Sequence, residues 1–308
     1  MKNITVLTVL VITLFLSINE ISAEEQPEKD YGFSFGASIG FVYGQSVELV
    51  YPVNTPAKYL SELLWDMKPV FYLGLQADFG RINIMDKPGF FASLSFNIGL
   101  PSVTGIMEDR DWMNLNNDYI THYSRHTNKT REFLWLDLEA GMTIPVRHDL
   151  YIKPVLAGSW MRFAFTGRDG YGEYNFPGVP SYISYDGQEV IRYEQNWYII
   201  AAGLSAGTKI TFPLSFELSF LISPLIYCAA IDEHLTTHVT YYDYMVFGLF
   251  YEQKACASFT IKSVILSLEF SYRYIEGTKD YFNQQKNINK PGAGLFLFNS
   301  CFMIKYQF

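Results

Sequence analysis

Two pairs of side chains in the sequence have the types and the spacing that hydrolysis of a bond requires. Asp109 and Asp111 lie two residues apart, so on an extended chain both carboxylates point to the same face. Asp232 and His234 have the same spacing, with an imidazole in place of the second carboxylate. Asp232 could orient His234 and raise its basicity while Asp109 and Asp111 hold a water molecule for attack. Two carboxylates held close together also delay each other's ionisation, which moves one pKa toward the working range.

Either pair alone is weak evidence for a catalytic site, because acidic residues near loops are usually just solvated. The two pairs together favour a hydrolytic site, and we expect it to work without a metal ion. The three cysteines, Cys228, Cys256 and Cys301, are too few and too widely spaced for a zinc cluster. A disulfide between Cys228 and Cys256 stays an alternative, since both lie at equal distances from position 242, near an expected turn.

The elements that position these residues are predicted to be strands with one apolar face. From Phe33 to Tyr43 the odd positions are apolar, and the even positions up to Gly40 are Ser or Gly. The same alternation recurs at 90–100, 264–274 and 296–308. A soluble sandwich also alternates, but it seldom places aromatic residues at both ends of so many strands, and this chain has 25 Phe and 23 Tyr. Aromatic girdles around a polar lumen, with every edge closed in lipid, predict an all-β fold, an antiparallel transmembrane β-barrel.

The barrel is expected to have about ten strands joined by short and long connections in alternation. The expected strands are 33–51, 58–80, 88–104, 123–146, 150–167, 191–212, 214–234, 240–261, 263–279 and 292–308. Tight turns are expected at 86–89, 147–149 and 212–213, and longer connections at 52–57, 105–122, 168–190, 235–239 and 280–291. Because the long connections of such barrels face the outside, we expect the chemistry at that extracellular rim. A barrel of this size, with side chains projecting inward, is too narrow for a general porin.

One strand needs a change of register to bring its catalytic pair into the lumen. The even positions from Leu214 to Phe220 point outward, whereas Asp232 and His234 must point inward. Pro224 lies between these two parts of the strand and cannot donate a ladder hydrogen bond. It therefore predicts a bulge that reverses the register.

The chain is predicted to be a single exported domain. Residues 1–23 have the pattern of a secretory signal peptide, with Lys2 before an apolar run and Ala23 before an acidic stretch. A membrane anchor is the less favoured alternative, because the run is shorter than the ~20 residues of a bilayer span. Residues 24–308 contain no linker or repeat and are expected to form one domain. The formal charge of −8 argues against a nucleic-acid partner and suits cationic substrates.

Four motifs follow one another along the chain: Asp-Arg-Asp-Trp-Met at 109–113, Ser124 with His126, Asp-Glu-His at 232–234, and Ile-Lys-Tyr-Gln-Phe at 304–308. Together they resemble the omptins, a family of ten-stranded outer-membrane endopeptidases of Gram-negative bacteria. The resemblance covers essentially all of residues 24–308. It implies a protease in the bacterial outer membrane that cuts peptide or protein substrates at or near basic residues, needs no cofactor, and has its site facing the cell exterior.

The resemblance also implies a role for each matching residue. Asp109 and Asp111 would form an aspartate couple, and Asp232 with His234 a second dyad. A water molecule between the two sides would attack the scissile carbonyl without a covalent intermediate. Ser124 and His126 would have structural or supporting roles.

Two further positions concern the substrate. Glu48 matches the family's acidic specificity residue, and the alternation agrees, since Phe41 and Tyr43 face lipid and Glu48 therefore faces the lumen. A carboxylate there would pair with an Arg or Lys side chain of the substrate. The family's second acidic specificity residue corresponds to Ala230, so selectivity for basic residues is expected to be weaker or different.

The sequence leaves two questions open, namely whether the protein binds lipid A and whether it is an enzyme at all. Arg162 matches a basic residue on the outer wall through which omptins bind lipid A, but Glu194 follows where another basic residue is expected. Lipopolysaccharide therefore stays open as a lipid activator. A non-enzymatic barrel acting as an adhesin or surface-binding protein is the alternative function. The complete four-residue set argues against it, because a binding descendant has no reason to keep all four.

Overall fold

The computed structural model describes residues 31–52, 59–81, 87–113, 119–147, 149–175, 180–211, 213–280 and 289–308, so the expected signal peptide lies outside the described residues. Within these ranges lie the strands β1 Tyr31–Tyr51, β2 Ser61–Arg81, β3 Gly89–Gly99, β4 Ser102–Asp111, β5 His122–Arg147, β6 Leu150–Tyr174, β7 Ser181–Ser184, β8 Glu189–Thr211, β9 Leu214–His234, β10 Val239–Val246, β11 Leu249–Ile261, β12 Val264–Lys279 and β13 Lys290–Gln307. No helix long and apolar enough to cross a membrane occurs in these ranges.

The strands form one antiparallel sheet that closes on itself. β1 pairs with β2 on one side and with β13 on the other, so the first and last strands join. β3 and β4 share one place in the ring, between β2 and β5, and β10 with β11 shares another, between β9 and β12. Within the described ranges, the short β7 pairs with the end of β6. The ring thus has about ten places, which confirms the predicted all-β barrel.

The two ends of the barrel differ in their connections. At one end, here called the short-turn end, the strands are joined across 82–88, 148–149, 212–213 and 262–263. At the other end, here called the long-loop end, they are joined across 52–60, 112–121, 175–188, 235–238 and 280–289, with β7 inside the third of these. This alternation agrees with the sequence expectation.

The outer wall is apolar between two rows of aromatic residues. Near the short-turn end the exposed aromatic residues are Phe33, Phe79, Phe90, Phe216, Phe259 and Phe308, and toward the long-loop end they are Tyr43, Phe71, Tyr198 and Tyr227. Between these rows lies the membrane-spanning part of each strand. Beyond the second row the wall becomes charged, with Glu132, Arg162 and Glu194 on three adjacent strands.

The lumen is polar in its lower part, toward the short-turn end. Arg273 on β12 lies 2.6 Å from Asp137 and 3.0 Å from Glu252, and its guanidinium stacks 4.1 Å from the Trp135 ring centre. Three more ion pairs join facing strands, namely Lys254 with Glu139, Lys153 with Glu217, and Lys305 with Asp78. Charged side chains inside and apolar side chains outside are what the alternation in the sequence predicts.

Aromatic side chains fill the lumen above these ion pairs. Trp65 stacks on Phe165 and on Tyr193, with ring centroids 5.6 Å apart in each case. Phe133 and Phe163 extend this cluster, their centroids 5.2 Å apart, and all five side chains are fully buried. The name aromatic plug is used below for these five residues. The plug lies between the ion pairs and the long-loop end, and its five side chains are packed away from solvent.

Several strands extend further than the sequence indicates. The expected connection 105–122 is shorter in the structure, because β4 continues to Asp111 and β5 begins at His122, which leaves 112–121 between the strands. The expected connection 168–190 likewise contains the end of β6, all of β7 and the start of β8. Register shifts at Val103/Gly105 and at Gly167/Arg168 interrupt the alternation at these points, which conceals the continuing strands. The expected single strands 88–104 and 240–261 are each broken in two, at 100–101 and 247–248.

The disulfide between Cys228 and Cys256, which the sequence leaves open as an alternative, is absent from the structure. All three cysteines are described and are free. The turn that joins β9 to β10 lies at 235–238, well before position 242, so Cys228 pairs with Met245 and Cys256 pairs with Glu217.

Candidate active site

A bulge in β4 aims Asp109 and Asp111 into the lumen. Thr104 is the extra residue where the β4–β5 register shifts, and after it the inward positions change from even to odd. Gly105 has φ of 122°, and a Cβ there would lie 2.7 Å from the Asp66 side chain. The Asp66 carboxylate in turn accepts a hydrogen bond from the backbone N–H of Ile106 at 3.2 Å. A glycine at this position therefore lets β4 pass close to Asp66 and fixes where its last residues point.

Asp109 and Asp111 share a polar partner on the neighbouring strand. The Ser61 hydroxyl on β2 donates to Asp109 Oδ1 at 3.5 Å, and Ser61 is directly opposite Asp111 in register. Burial and then the charge of Asp111 raise the pKa of Asp109 well above its ordinary value. Burial also raises the pKa of Asp111, against a hydrogen bond from Ser61. The pair therefore retains a proton at higher pH than an isolated aspartate would.

A second bulge, in β9, aims Asp232 and His234 inward. Ser223 and Pro224 lie where the β8–β9 register shifts, and the buried positions change there from odd, at Leu221, to even, at Ile226. The Ser223 hydroxyl donates to the backbone carbonyl of Ile200 at 2.5 Å and accepts from the Leu225 N–H at 2.7 Å. The predicted register reversal at Pro224 is confirmed.

Asp232 and His234 form a hydrogen-bonded pair at the end of β9. His234 Nε2 lies 2.7 Å from Asp232 Oδ2, and Asp232 is buried. The ring of Tyr241, on β10, packs edge-on against His234 with centroids 5.7 Å apart. The hydrogen bond to Asp232 raises the pKa of His234, desolvation opposes it, and the charges of Asp232, Asp109 and Asp111 raise it further. His234 is thus both fixed in orientation and made more basic.

The two pairs come from strands that are not neighbours and meet across the lumen. Asp109 and Asp111 raise the pKa of His234, and His234 in turn lowers that of Asp109, so the groups are close enough to interact. The structure thereby brings together all four predicted catalytic residues above the aromatic plug. This places two acids and an acid–imidazole pair around one space, which is an arrangement able to hold and deprotonate a water molecule.

Glu48 and Ala230 face the same space from β1 and β9. Both are buried, and no hydrogen-bond partner is found for Glu48 Oε2 among the described residues. Burial, followed by the charges of Asp232, Asp243 and Asp109, raises the pKa of Glu48 well above its ordinary value. Glu48 is therefore a buried acid next to the catalytic pair that keeps its proton to higher pH than an isolated glutamate, and its Oε2 has no partner among the described residues.

Sequence reasoning missed residues that line this space. Gln195 is buried opposite Ala230, and its side chain bonds Ser46 at 2.6 Å and Tyr193 at 3.0 Å. Asp243 is directly opposite Ala230 on the other side. A signal for Asp243 exists in the sequence, since it alternates with two outward-facing tyrosines, Tyr242 and Tyr244. Gln195 gives no comparable signal.

Ser124 and His126 support the site from β5. Ser124 is directly opposite Asp109 in register. His126 Nδ1 lies 2.6 Å from the Asp169 carbonyl and Nε2 lies 3.0 Å from the Ser124 hydroxyl, and burial lowers the pKa of His126. A neutral His126 that donates to the carbonyl and accepts from Ser124 satisfies both contacts. The supporting role expected of these residues fits this position.

Arg162 lies on the outer wall and is held by two carboxylates. It is 3.0 Å from Glu132 and 3.0 Å from Glu194. An incoming lipid phosphate would have to compete with both. Among the described residues, no group of three His, Cys, Asp or Glu side chains could hold a metal ion.

Comparison with known proteins places the chain among outer-membrane proteases. A profile of the Omptin family matches residues 29–301. The plasminogen activator of Yersinia pestis is 27% identical over 289 residues, which is 90% of this chain and 88% of that protein. The crystal structure of the outer membrane protease OmpT from Escherichia coli is similar with a TM-score of 0.76 at 19% identity, covering 94% of this chain and 99% of that one.

Proposed function

The chain belongs to the omptin family of bacterial outer-membrane proteases, and we propose that it is an endopeptidase that hydrolyses peptide bonds at or near basic residues. The observation that carries the proposal is the Asp232–His234 pair facing Asp109 and Asp111 across one space. The long-loop end, which holds this space, faces the cell exterior. Its substrates are peptides or proteins that reach the cell surface.

In the proposed mechanism, His234 is the general base. Asp232 holds Nε2 of His234 in a hydrogen bond. It also stabilises the imidazolium that forms when His234 takes a proton from water. Asp109 and Asp111 hold that water for attack on the scissile carbonyl, and Ser61 orients Asp109. When the tetrahedral intermediate collapses, the imidazolium returns its proton to the leaving amine. No covalent bond to the protein forms at any step.

Substrate charge is recognised beside the reacting bond. Glu48 is buried next to Asp232 and has no cationic partner among the described residues, so a substrate guanidinium or ammonium group would neutralise it. The Yersinia pestis relative is a plasminogen activator, so that enzyme acts on a protein. This supports protein substrates for the present chain.

Lipopolysaccharide remains a proposed activator rather than a cofactor. Arg162 would bind a lipid phosphate only by displacing Glu132 or Glu194. We therefore expect lipopolysaccharide to change activity little in the wild type and more in Glu194→Gln. Assays of both proteins with and without added lipopolysaccharide test this expectation, and an equal response of the two would refute it.

The proposed function is tested by incubating the refolded protein with a peptide library and locating the cut bonds by mass spectrometry. We expect cuts next to Arg or Lys. Absence of any cut, from protein shown to be folded by its heat-modifiable mobility on gels, would contradict the protease assignment. Cuts that ignore charge would contradict the selectivity alone.

A further inference from the structure

Ala230 on β9 has a carboxylate as its direct neighbour on β10. The register pairs Ala230 with Asp243, between the pairs Asp232 with Tyr241 and Cys228 with Met245. Side chains directly opposite in an antiparallel pair lie on the same face with Cβ atoms about 4.5–5.5 Å apart. The Asp243 carboxylate is thus within one side-chain length of where a carboxylate at position 230 would lie.

The Asp243 side chain points into the lumen. Met245, which shares its parity on β10, is fully buried, whereas Tyr242 and Tyr244 are 64% and 56% exposed on the outer face. Asp243 itself is only partly exposed. Its charge acts on Glu48 of β1, on Tyr193 of β8 and on Cys228 of β9, all of which are buried. Asp243 therefore belongs to the space that Glu48 faces.

Glu48 is a buried carboxylate without a partner. It is 5% exposed, and its Oε2 has no hydrogen bond within the described part of the chain. None of the salt bridges found there reaches Glu48 or Asp243. A buried, unpaired acid is costly unless a ligand or a proton neutralises it, so Glu48 itself points to a missing cation.

The charges around Glu48 repel one another. Burial and then the charges of Asp232 and Asp280 raise the pKa of Asp243 to about 6, and Asp243 in turn contributes to the raised pKa of Glu48. At neutral pH Asp243 is ionised, because the solution is above its pKa. A positively charged group placed between Glu48 and Asp243 would relieve this repulsion and gain a charge-assisted hydrogen bond from each.

We infer that Asp243 is the second acidic specificity residue of this protein, and that Glu48 and Asp243 together bind the Arg or Lys side chain of the substrate. The inference rests on the proposed function. It replaces the expectation, drawn from Ala230 alone, that selectivity for basic residues is weaker or different. The second carboxylate would thus lie on β10, directly opposite Ala230 of β9.

The inference is tested with two peptides that differ only in Arg or citrulline at the residue recognised, because citrulline has nearly the shape of arginine without the charge. The measured quantity is the ratio of kcat/KM for the two peptides. Asp243→Asn should lower this ratio about ten- to hundred-fold, as expected for loss of one charge-assisted partner. Glu48→Gln should lower it similarly, and Asp243→Glu should retain most of it.

Moving the carboxylate from position 243 to position 230 gives the sharpest test of the inference. The double variant Ala230→Asp/Asp243→Asn should recover most of the preference that Asp243→Asn loses. Asp186→Asn is the matched control, since Asp186 is an exposed acid at the same end of the barrel and the charge change is identical. It should leave the ratio unchanged.

The outcomes separate the inference from the proposed function. If Asp243→Asn keeps the wild-type ratio while Glu48→Gln loses it, the inference is wrong and the protease assignment stands. If Asp243→Asn does not fold, the double variant Ala230→Asp/Asp243→Asn decides. A wild-type ratio of kcat/KM for the two peptides in the double variant supports the inference, and a ratio near one overturns it. If the wild type cleaves neither peptide, the proposed function fails and the inference fails with it.

Discussion

His234 owes its basicity to Asp232, and that dependence sets the pH range in which it can act as a base. The hydrogen bond to Asp232 raises the pKa of His234, and nearby carboxylates add to the effect against desolvation. A general base must be neutral to accept a proton. Activity is therefore present above the pKa of His234 and is lost as the pH falls through it.

Asp232→Asn should shift the acid limb of kcat/KM to lower pH, at a reduced overall rate. Asparagine has the size of aspartate but no charge, so the pKa of His234 falls toward its ordinary value of about 6.5 and the imidazole stays neutral in more acidic solution. The pH profile of kcat/KM for wild type and variant measures the shift. Asp186→Asn should leave the limb in place. If the acid limb of kcat/KM in Asp232→Asn stays at the wild-type pH or shifts to higher pH, His234 is not the titrating base.

The sequence reveals the catalytic residues whose spacing matches the period of a strand. Asp109 with Asp111 and Asp232 with His234 could be predicted to share a face because strand side chains repeat every two residues. Asp243 could not be linked to Ala230 in advance, because their pairing depends on the turn at 235–238 and on the break at 247–248. Register between strands is set by turn geometry and bulges, which the composition of each strand does not specify.

Two bulges lie between the short-turn end of the barrel and the strand ends that hold the site. The bulge at Thr104 and Gly105 reverses the faces of β4, and the one at Ser223 and Pro224 reverses those of β9. Below each bulge the alternation places apolar side chains in lipid. Above it, the same strand directs catalytic side chains into the lumen.

Gly105→Ala should reduce activity more than it affects folding. Alanine is strained at φ of 122°, and its Cβ would lie 2.7 Å from Asp66, so β4 must move and carry Asp109 and Asp111 with it. The strain amounts to about 1–3 kcal/mol. The matched control is Gly158→Ala on β6, where an added Cβ meets nothing within 4 Å. Urea unfolding and kcat/KM should both separate the two variants, and equal activity of Gly105→Ala and Gly158→Ala would contradict the role given to the bulge.

The sequence identifies bulges only where a residue type requires them. Pro224 marks the β9 bulge because proline cannot join the ladder. The β4 bulge involves Thr104 and a glycine, and glycine also occurs within regular strands of this chain. The sequence therefore predicts a loop beyond this bulge and places Asp109 in it, whereas Asp109 lies on β4.

The whole barrel is stabilised from inside by charge pairs that lie beneath the aromatic plug. Arg273 is the most connected of them, because it is buried between Asp137 and Glu252 and against the Trp135 ring. The alternation predicts the polar lumen, but the partner of each charge depends on which strands face one another across the barrel. That information appears only when the ring is closed.

Arg273→Met should destabilise the barrel by about 3–5 kcal/mol, because it leaves two buried carboxylates without their cation. The free energy of unfolding in urea, measured in detergent or lipid, gives the change. Arg192→Met is the control, since Arg192 pairs with Glu189 and Glu233 at a partly exposed position, where a salt bridge contributes about 0–1 kcal/mol. Equal stability losses for the two variants would show that the lumen pairs do not stabilise the fold as described.

We propose that the four side chains gathered at the long-loop end hydrolyse peptide bonds, and one kinetic quantity decides whether they do. It is kcat/KM of refolded Asp109→Asn and His234→Ala on an Arg-containing peptide, with Asp186→Asn as control and heat-modifiable mobility as proof of folding. Each of the first two should lose about 10²–10⁴-fold in rate, the usual contribution of a positioned acid–base group, while the control keeps the wild-type value. Folded Asp109→Asn or His234→Ala that cleaves at the wild-type rate would contradict the claim.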